Sequence, residues 1–372
     1  MSKNIYKELI AFHPGCYVKN IIDDMEITQS EFAKRLNTTD KTLSKLINGE
    51  ISLSKNLANK LSLMTGTSID LWLNLQKNYE SKCNEIDLQK QFDEELTNLK
   101  FINYSYFSKL NLVPKTNNKI EQIRFLCKYL HISSLSVLKK PDLLVACKTA
   151  INSIELKNIM AANAWIQTGM NLAQNIDCAK FNKSKLINYL PKIRSLNLKS
   201  PNEFYHELKT ILSNCGIAFV TLPYLDNSGL NGAIKWISKE KVLLLINDRG
   251  KDASLFWFAL FHEIKHILQE DKKYVYLSIK DKSSLSLGIN NSFAEQEADM
   301  FAREYLIAEN DYTNFISHRN FSKSAIITFA KTIGVVPAIV LGRLQHDKYL
   351  KWNMFSDLKK EYRINSNKGV VN

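Results

Sequence analysis

At 372 residues, with 45% apolar and 23% charged residues, the chain is too long for one core of ordinary size and too balanced for a disordered or fibrous protein, so two or three folded domains are expected. A formal net charge of +13 favours an acidic partner such as nucleic acid, yet residues 1–80 carry ten Lys and Arg against nine Asp and Glu, and most of the excess lies between residues 81 and 250. The opening MSKNIYKELIAFHPG lacks a signal-peptide core, and no run nears the roughly 18–20 apolar residues of a membrane span, so no membrane partner is expected.

Residues 14–80 read as five short helices. Pro14 suits a first helical turn, and Thr28 can cap TQSEFAKRL, in which Phe32, Ala33 and Leu36 share a face. A turn at Asn37 and Thr38 leads into TDKTLSKLI, with Leu43, Leu46 and Ile47 inward, and Gly49 ends that helix. SLSKNLANKLSLM follows, and Gly66 breaks the chain before SIDLWLNLQKNYE. The segments FHPG, TQSEFAKRL, TTDKTLSKLINGE and TGTSIDLWLNLQKNYE together resemble the HigA-type branch of helix-turn-helix (XRE superfamily) antitoxins over the whole of residues 11–80. That resemblance implies an all-α domain that binds double-stranded DNA as a homodimer on a palindromic operator. It also implies that Thr39, Asp40, Lys41, Thr42 and Lys45 face the major groove, with Gln29 and Lys34 as phosphate contacts.

Residues 81–200 carry helical patterns such as ELKNIMAANAWIQTGMNLAQ and no recognisable chemistry, so they are read as a helical spacer. Near Gly216 the texture changes. IAFVTL, AIKWIS and VLLLIN are short β-branched or alternating runs that predict a small sheet. DASLFWFALFHEIKHILQ then predicts a strongly apolar helix, started by Asp252 or Ser254.

His262, Glu263 and His266 spell H-E-x-x-H inside that helix. Residues four apart project from one face, so both imidazoles can reach one Zn2+ while Glu263 lies alongside as general base. Zinc of this kind takes three protein ligands. The next helix, SFAEQEADMFAREYLI, offers Glu295 as the third, with Glu297 in reserve, and Asp299, four residues after Glu295, can hold a ligand imidazole from behind. WFALFHEIKHIL and EQEADMFA, with the strand-rich block before them and VVPAIVLGRLQHD after, resemble the ImmA/IrrE family of metallopeptidases. The resemblance implies a zincin-like α+β domain that cleaves a repressor or partner protein; Lys265 stands where such proteins often have a small residue.

The expected whole is mainly α with a small β-sheet (α+β): a helix-turn-helix domain at 1–80, a helical middle at 81–200, a peptidase-like domain at 201–350 and a tail at 351–372. His346, Arg343 and Tyr305 are candidate oxyanion donors, whereas His13, His131, His206 and His318 sit in no motif and are read as surface or capped core residues. The tryptophans at 165, 236, 257 and 352 are read as packing residues. Six cysteines, at 16, 83, 127, 147, 178 and 215, follow no C-x-x-C or disulfide spacing, which fits buried thiols in a reducing cytoplasm. The reading that follows is a DNA-binding regulator, antitoxin-like or a mobile-element repressor, with a zinc endopeptidase and a protein substrate or toxin partner. The competing reading is a non-catalytic regulator whose peptidase-like part senses or binds proteins.

Overall fold

The computed structural model describes residues 3–140, 155–248, 252–270, 276–279, 292–365 and 369–371. It is mainly helical with small sheets, an α+β chain that divides into two compact units, Met1–Thr97 and Asn98–Asn372. Cys147 lies outside the described residues; the other five cysteines are free thiols.

The first unit opens on a hairpin, β1 (Lys3–Tyr6) and β2 (Leu9–Phe12), paired antiparallel from Lys3↔Phe12 to Tyr6↔Leu9. The expectation of an all-helical N-terminus is corrected there. KNIY and LIAF are four residues each, too short for a period of two to stand out, and Lys7 turns the hairpin with a positive φ of 53°. Helices α1 (Pro14–Asp24), α2 (Gln29–Arg35), α3 (Asp40–Asn48) and α4 (Lys55–Thr65) follow at the expected places. Thr28 Oγ1 accepts from the Glu31 amide and Thr39 Oγ1 from the Thr42 amide, while Gly49 and Gly66 close α3 and α4 in the left-handed conformation. The fifth helix is not short: α5 runs from Ile69 to Leu99. Tyr6 donates a 2.7 Å hydrogen bond to Asp93 in its second half, so the hairpin is tied to it. That extension carries the first unit past residue 80.

Val18, Phe32, Leu43, Leu46, Leu61 and Trp72 fill the core between these helices. Gly15 lets α1 cross α3 at backbone contact, since a Cβ there would stand 2.0 Å from the Leu46 carbonyl oxygen.

The second unit begins with α6 (Tyr104–Lys109), α7 (Lys119–Leu130), α8 (Leu156–Gln174), α9 (Lys183–Ser195) and α10 (Pro201–Asn214). Strands β3 (Ile217–Thr221), β4 (Leu230–Ser238) and β5 (Lys241–Ile246) precede helix α11 (Ala253–Gln269), and β6 (Tyr276–Ile279) comes after it. The sheet order is β3-β5-β4-β6, with β3 parallel to β5 and the other pairs antiparallel. Helices α12 (Ser292–Leu306), α13 (Glu309–Ser317), α14 (Lys323–Ile333) and α15 (Pro337–His346) and a small hairpin, β7 (Arg363–Asn365) with β8 (Gly369–Val371), complete the unit.

Both faces of the sheet are covered. Ile217, Phe219, Ile234, Leu244 and Ile246 pack with α9, α10, α11 and α15, whereas Ala218, Val220, Ala233, Leu243 and Leu245 pack with α7 and α8. Burial on both faces is why VLLLI is apolar throughout instead of alternating. The helices of the middle region therefore do more than space the two ends: α8 lies on the sheet so closely that a Cβ at Gly169 would come within 2.6 Å of Leu245. Trp165 and Trp257 are fully buried, but Trp352 is exposed, contrary to its reading as a packing residue. Among the described residues no single helix is long and apolar enough to cross a membrane.

Candidate functional site

Asp252 starts α11 by accepting from the Ser254 amide at 2.6 Å, and the helix is so apolar that it is buried on nearly every side. His262, Glu263 and His266 are consequently interior residues, at 4%, 0% and 1% exposure. Their surroundings come from two neighbours, β4 on one side and α12 on the other. From α12, Glu295 places Oε2 3.4 Å from His262 Nε2 and Oε1 3.3 Å from His266 Nε2, and the two Nε2 atoms stand 3.0 Å apart. Four ligands about 2.0–2.1 Å from a tetrahedral zinc lie about 3.3 Å from one another. The three side chains thus have the separations of three corners of that tetrahedron, and among the described residues they are the group able to hold a metal ion.

Each imidazole is braced from behind. His262 Nδ1 stands 3.0 Å from Asp299 Oδ1, and His266 Nδ1 is 2.8 Å from Gln269 Oε1. A proton on each Nδ1 leaves both Nε2 lone pairs turned toward Glu295, an arrangement of acceptors that calls for a cation. Without a metal, a proton on His262 meets that need. Burial works against ionisation of Glu295, but the two imidazoles outweigh it and bring its carboxyl down to about 2. Burial likewise works against a charged His262, yet Asp299 and Glu295 outweigh it and raise the imidazole to about 10.

Glu263 lies against β4, where Gly232 makes room for it. A Cβ on Gly232 would lie 2.6 Å from Glu263 Oε1 and 3.1 Å from its Cγ. Sequence patterns gave no sign of this neighbour, because only the packing of α11 on the sheet brings residues 232 and 263 together.

Of the two acids considered for the third ligand, Glu295 joins the cluster and Glu297 does not. Glu297 Oε2 instead accepts from Gln269 at 3.1 Å and lies 3.5 Å from Lys265 Nζ. Arg343 is committed to Asp347 at 2.8 Å and Glu309 at 3.0 Å and packs over the Tyr312 ring. His346 is exposed and lies near Arg303 and Asp347, and Tyr305 stacks on Phe261. These contacts give the three oxyanion candidates structural partners in α11, α12 and α13 and at Asp347, just past α15.

In the first unit, α3 turns Leu43, Leu46 and Ile47 into the core. At 100° per residue, positions 41, 44, 45 and 48 fall within about 100° of one another on the opposite side. Lys41, Lys45 and Asn48 are exposed there, with Ser44 and Thr42 half-buried beside them. Ser44 and Asn48 were not picked out from the sequence, although the helical period places them on that face. Gln29, Lys34 and Thr39 are also exposed, and Asp40 accepts a 3.0 Å hydrogen bond from Ser30 across the turn between α2 and α3.

A family model described as Helix-turn-helix matches residues 18–72. The chain is 35% identical over 63 residues to the uncharacterised HTH-type transcriptional regulator YddM of Escherichia coli (strain K12), a match spanning 17% of this chain and 67% of that protein. It is 39% identical over 69 residues to the virulence-associated protein A' of Dichelobacter nodosus, spanning 18% of this chain and 60% of that one. A solved structure from Nostoc punctiforme, a candidate antidote protein of a plasmid maintenance system, aligns at 28% identity and a TM-score of 0.22, covering 23% of this chain and 92% of its own.

Proposed function

Because the chain belongs to the helix-turn-helix family through residues 18–72, we propose that it is a cytoplasmic DNA-binding transcriptional regulator that also carries a zinc-dependent endopeptidase. Helix α3 enters the major groove with Lys41, Thr42, Ser44, Lys45 and Asn48 toward base edges, while Gln29, Lys34 and Thr39 meet phosphates. Asp40 holds Ser30 and the start of α3 in place, so its carboxylate serves the turn. A homodimer on a palindromic operator is part of this reading, since one short helix offers few contacts.

In the second unit His262, His266 and Glu295 would hold Zn2+. Zinc bound by such a set polarises a carbonyl and makes water acidic enough to act near neutral pH. Glu263 takes the proton of the attacking water and passes it to the leaving amine nitrogen as the peptide bond breaks, so the proton count closes. Gly232 and the apolar body of α11 fix that carboxylate, and Asp299 fixes His262. The substrate class is a repressor or partner protein, a toxin included.

One observation carries the catalytic part: three donors converge at 3.0–3.4 Å with a fully buried glutamate next in sequence to one of them. Its test compares newly formed protein N-termini in cells making the wild type or Glu263→Gln. N-termini that arise only with the wild type are expected, while both proteins retain zinc and DNA binding. Identical sets of N-termini would leave a non-catalytic regulator.

A further inference from the structure

We infer that Gln269 sets the tautomer and orientation of His266, an inference that rests on the zinc-site reading above. Gln269 is the last residue of α11, three positions beyond His266, so the helix brings the two side chains to one face. Its Oε1 is 2.8 Å from His266 Nδ1. Its Nε2 donates to the Ala294 carbonyl at 3.2 Å and to Glu297 Oε2 at 3.1 Å. Both of those partners are acceptors with no hydrogen to give. A flipped carboxamide would set its oxygen against two acceptor oxygens and its NH2 against the imidazole, so the observed orientation is the one the network permits.

With Oε1 facing the ring, His266 must carry a proton on Nδ1, so Nε2, on the side of Glu295 and His262, is the nitrogen left to ligate a metal. Gln269 thus does by an amide what Asp299 does for His262 by a carboxylate. Its anchors add a second consequence. Ala294 and Glu297 flank Glu295 on α12, so the residue that fixes the second histidine is itself held by the helix that supplies the third ligand. Lys265 pairs with Glu297 and steadies the far end of the chain. Glu297, considered from the sequence as a ligand, here holds the positioning residue.

The test uses the full-length protein and zinc alone, titrated against a competing chelator dye, with imidazole 15N chemical shifts of His266 read in the zinc-loaded state. Gln269→Leu should weaken zinc about 10–100-fold while saturating at the wild-type stoichiometry. Gln269→Glu alone sets two carboxylates together and should also weaken zinc, whereas adding Glu297→Gln restores a donor facing residue 269 but leaves the Ala294 carbonyl without one, and should recover part of the affinity lost in Gln269→Glu. His266 should keep its Nδ1–H signature in the wild type and the exchanged pair, and lose hydrogen-bonded character at Nδ1 in Gln269→Leu. Zinc affinity of Gln269→Leu within about twofold of a wild type that does bind zinc overturns this inference and leaves the site standing. A wild type that takes no zinc overturns both.

Discussion

The Nε2 atoms of His262 and His266 stand 3.0 Å apart, nearer than two acceptors rest without a cation or proton between them. Before zinc binds, the neighbouring carboxylates supply that need by keeping His262 protonated up to about pH 10. Zinc must displace this proton. Affinity should therefore rise with pH below 10, the His262 proton being released as zinc binds. Glu295, ionised above about 2, adds nothing to that slope. Titrations at pH 6, 7 and 8 check the sign; an affinity that stays flat would contradict it.

Gly232→Ala tests the seat of Glu263. The added Cβ meets the carboxylate first, at 2.6 Å, and a fully buried side chain has little room to step aside. Displacement by roughly 1 Å costs about 100-fold in turnover. We expect that loss in kcat with zinc content unchanged, and partial recovery when Glu263→Asp shortens the opposing side chain. An unaltered kcat would remove Gly232 from the account.

Gly15→Ala should loosen the DNA-binding unit. The Cβ would lie 2.0 Å from a backbone oxygen of α3, an atom that cannot turn away, and overpacking of this kind costs about 1–3 kcal/mol or more. Gly66→Ala is the control: it has a φ of +70° but nothing within 4 Å, so the added Cβ brings only backbone strain, a cost of about 1–2 kcal/mol. Thermal melts of the two variants should rank Gly15→Ala as the less stable.

Lys34 and Asn48 separate the two parts of DNA recognition. On a duplex selected from a random pool, Lys34→Ala should lower the slope of log affinity against log salt by about 0.9 and weaken all sequences alike. Asn48→Ala should instead cost about 1–3 kcal/mol on the selected site and relax its preference at one position. Equal effects of both variants on selected and unrelated duplexes would place α3 outside the groove.

The helix-turn-helix and the H-E-x-x-H helix were legible because each rests on local spacing: caps at Thr28 and Asp252, stops at Gly49 and Gly66, and two histidines four apart. Glu295 was legible as well, since Asp299 lies on the same helical face and Glu297 is turned two positions away. What escaped depends on packing between distant segments. Gly232 meets Glu263 only through the sheet, and Gln269 reads as an ordinary polar helix end until α12 is beside it. The cover that α7 and α8 give the sheet escaped for the same reason, because a helix with an apolar face does not name what it packs on. The hairpin Lys3–Phe12 was missed for brevity.

Zinc content tests the central claim most directly. Full-length protein, loaded and then dialysed against metal-free buffer, should retain about one zinc per chain by elemental analysis, and Glu295→Ala should retain clearly less under the same treatment. A folded wild type that keeps no zinc after loading would contradict the assignment of His262, His266 and Glu295 as a metal centre, and the proposed peptidase with it.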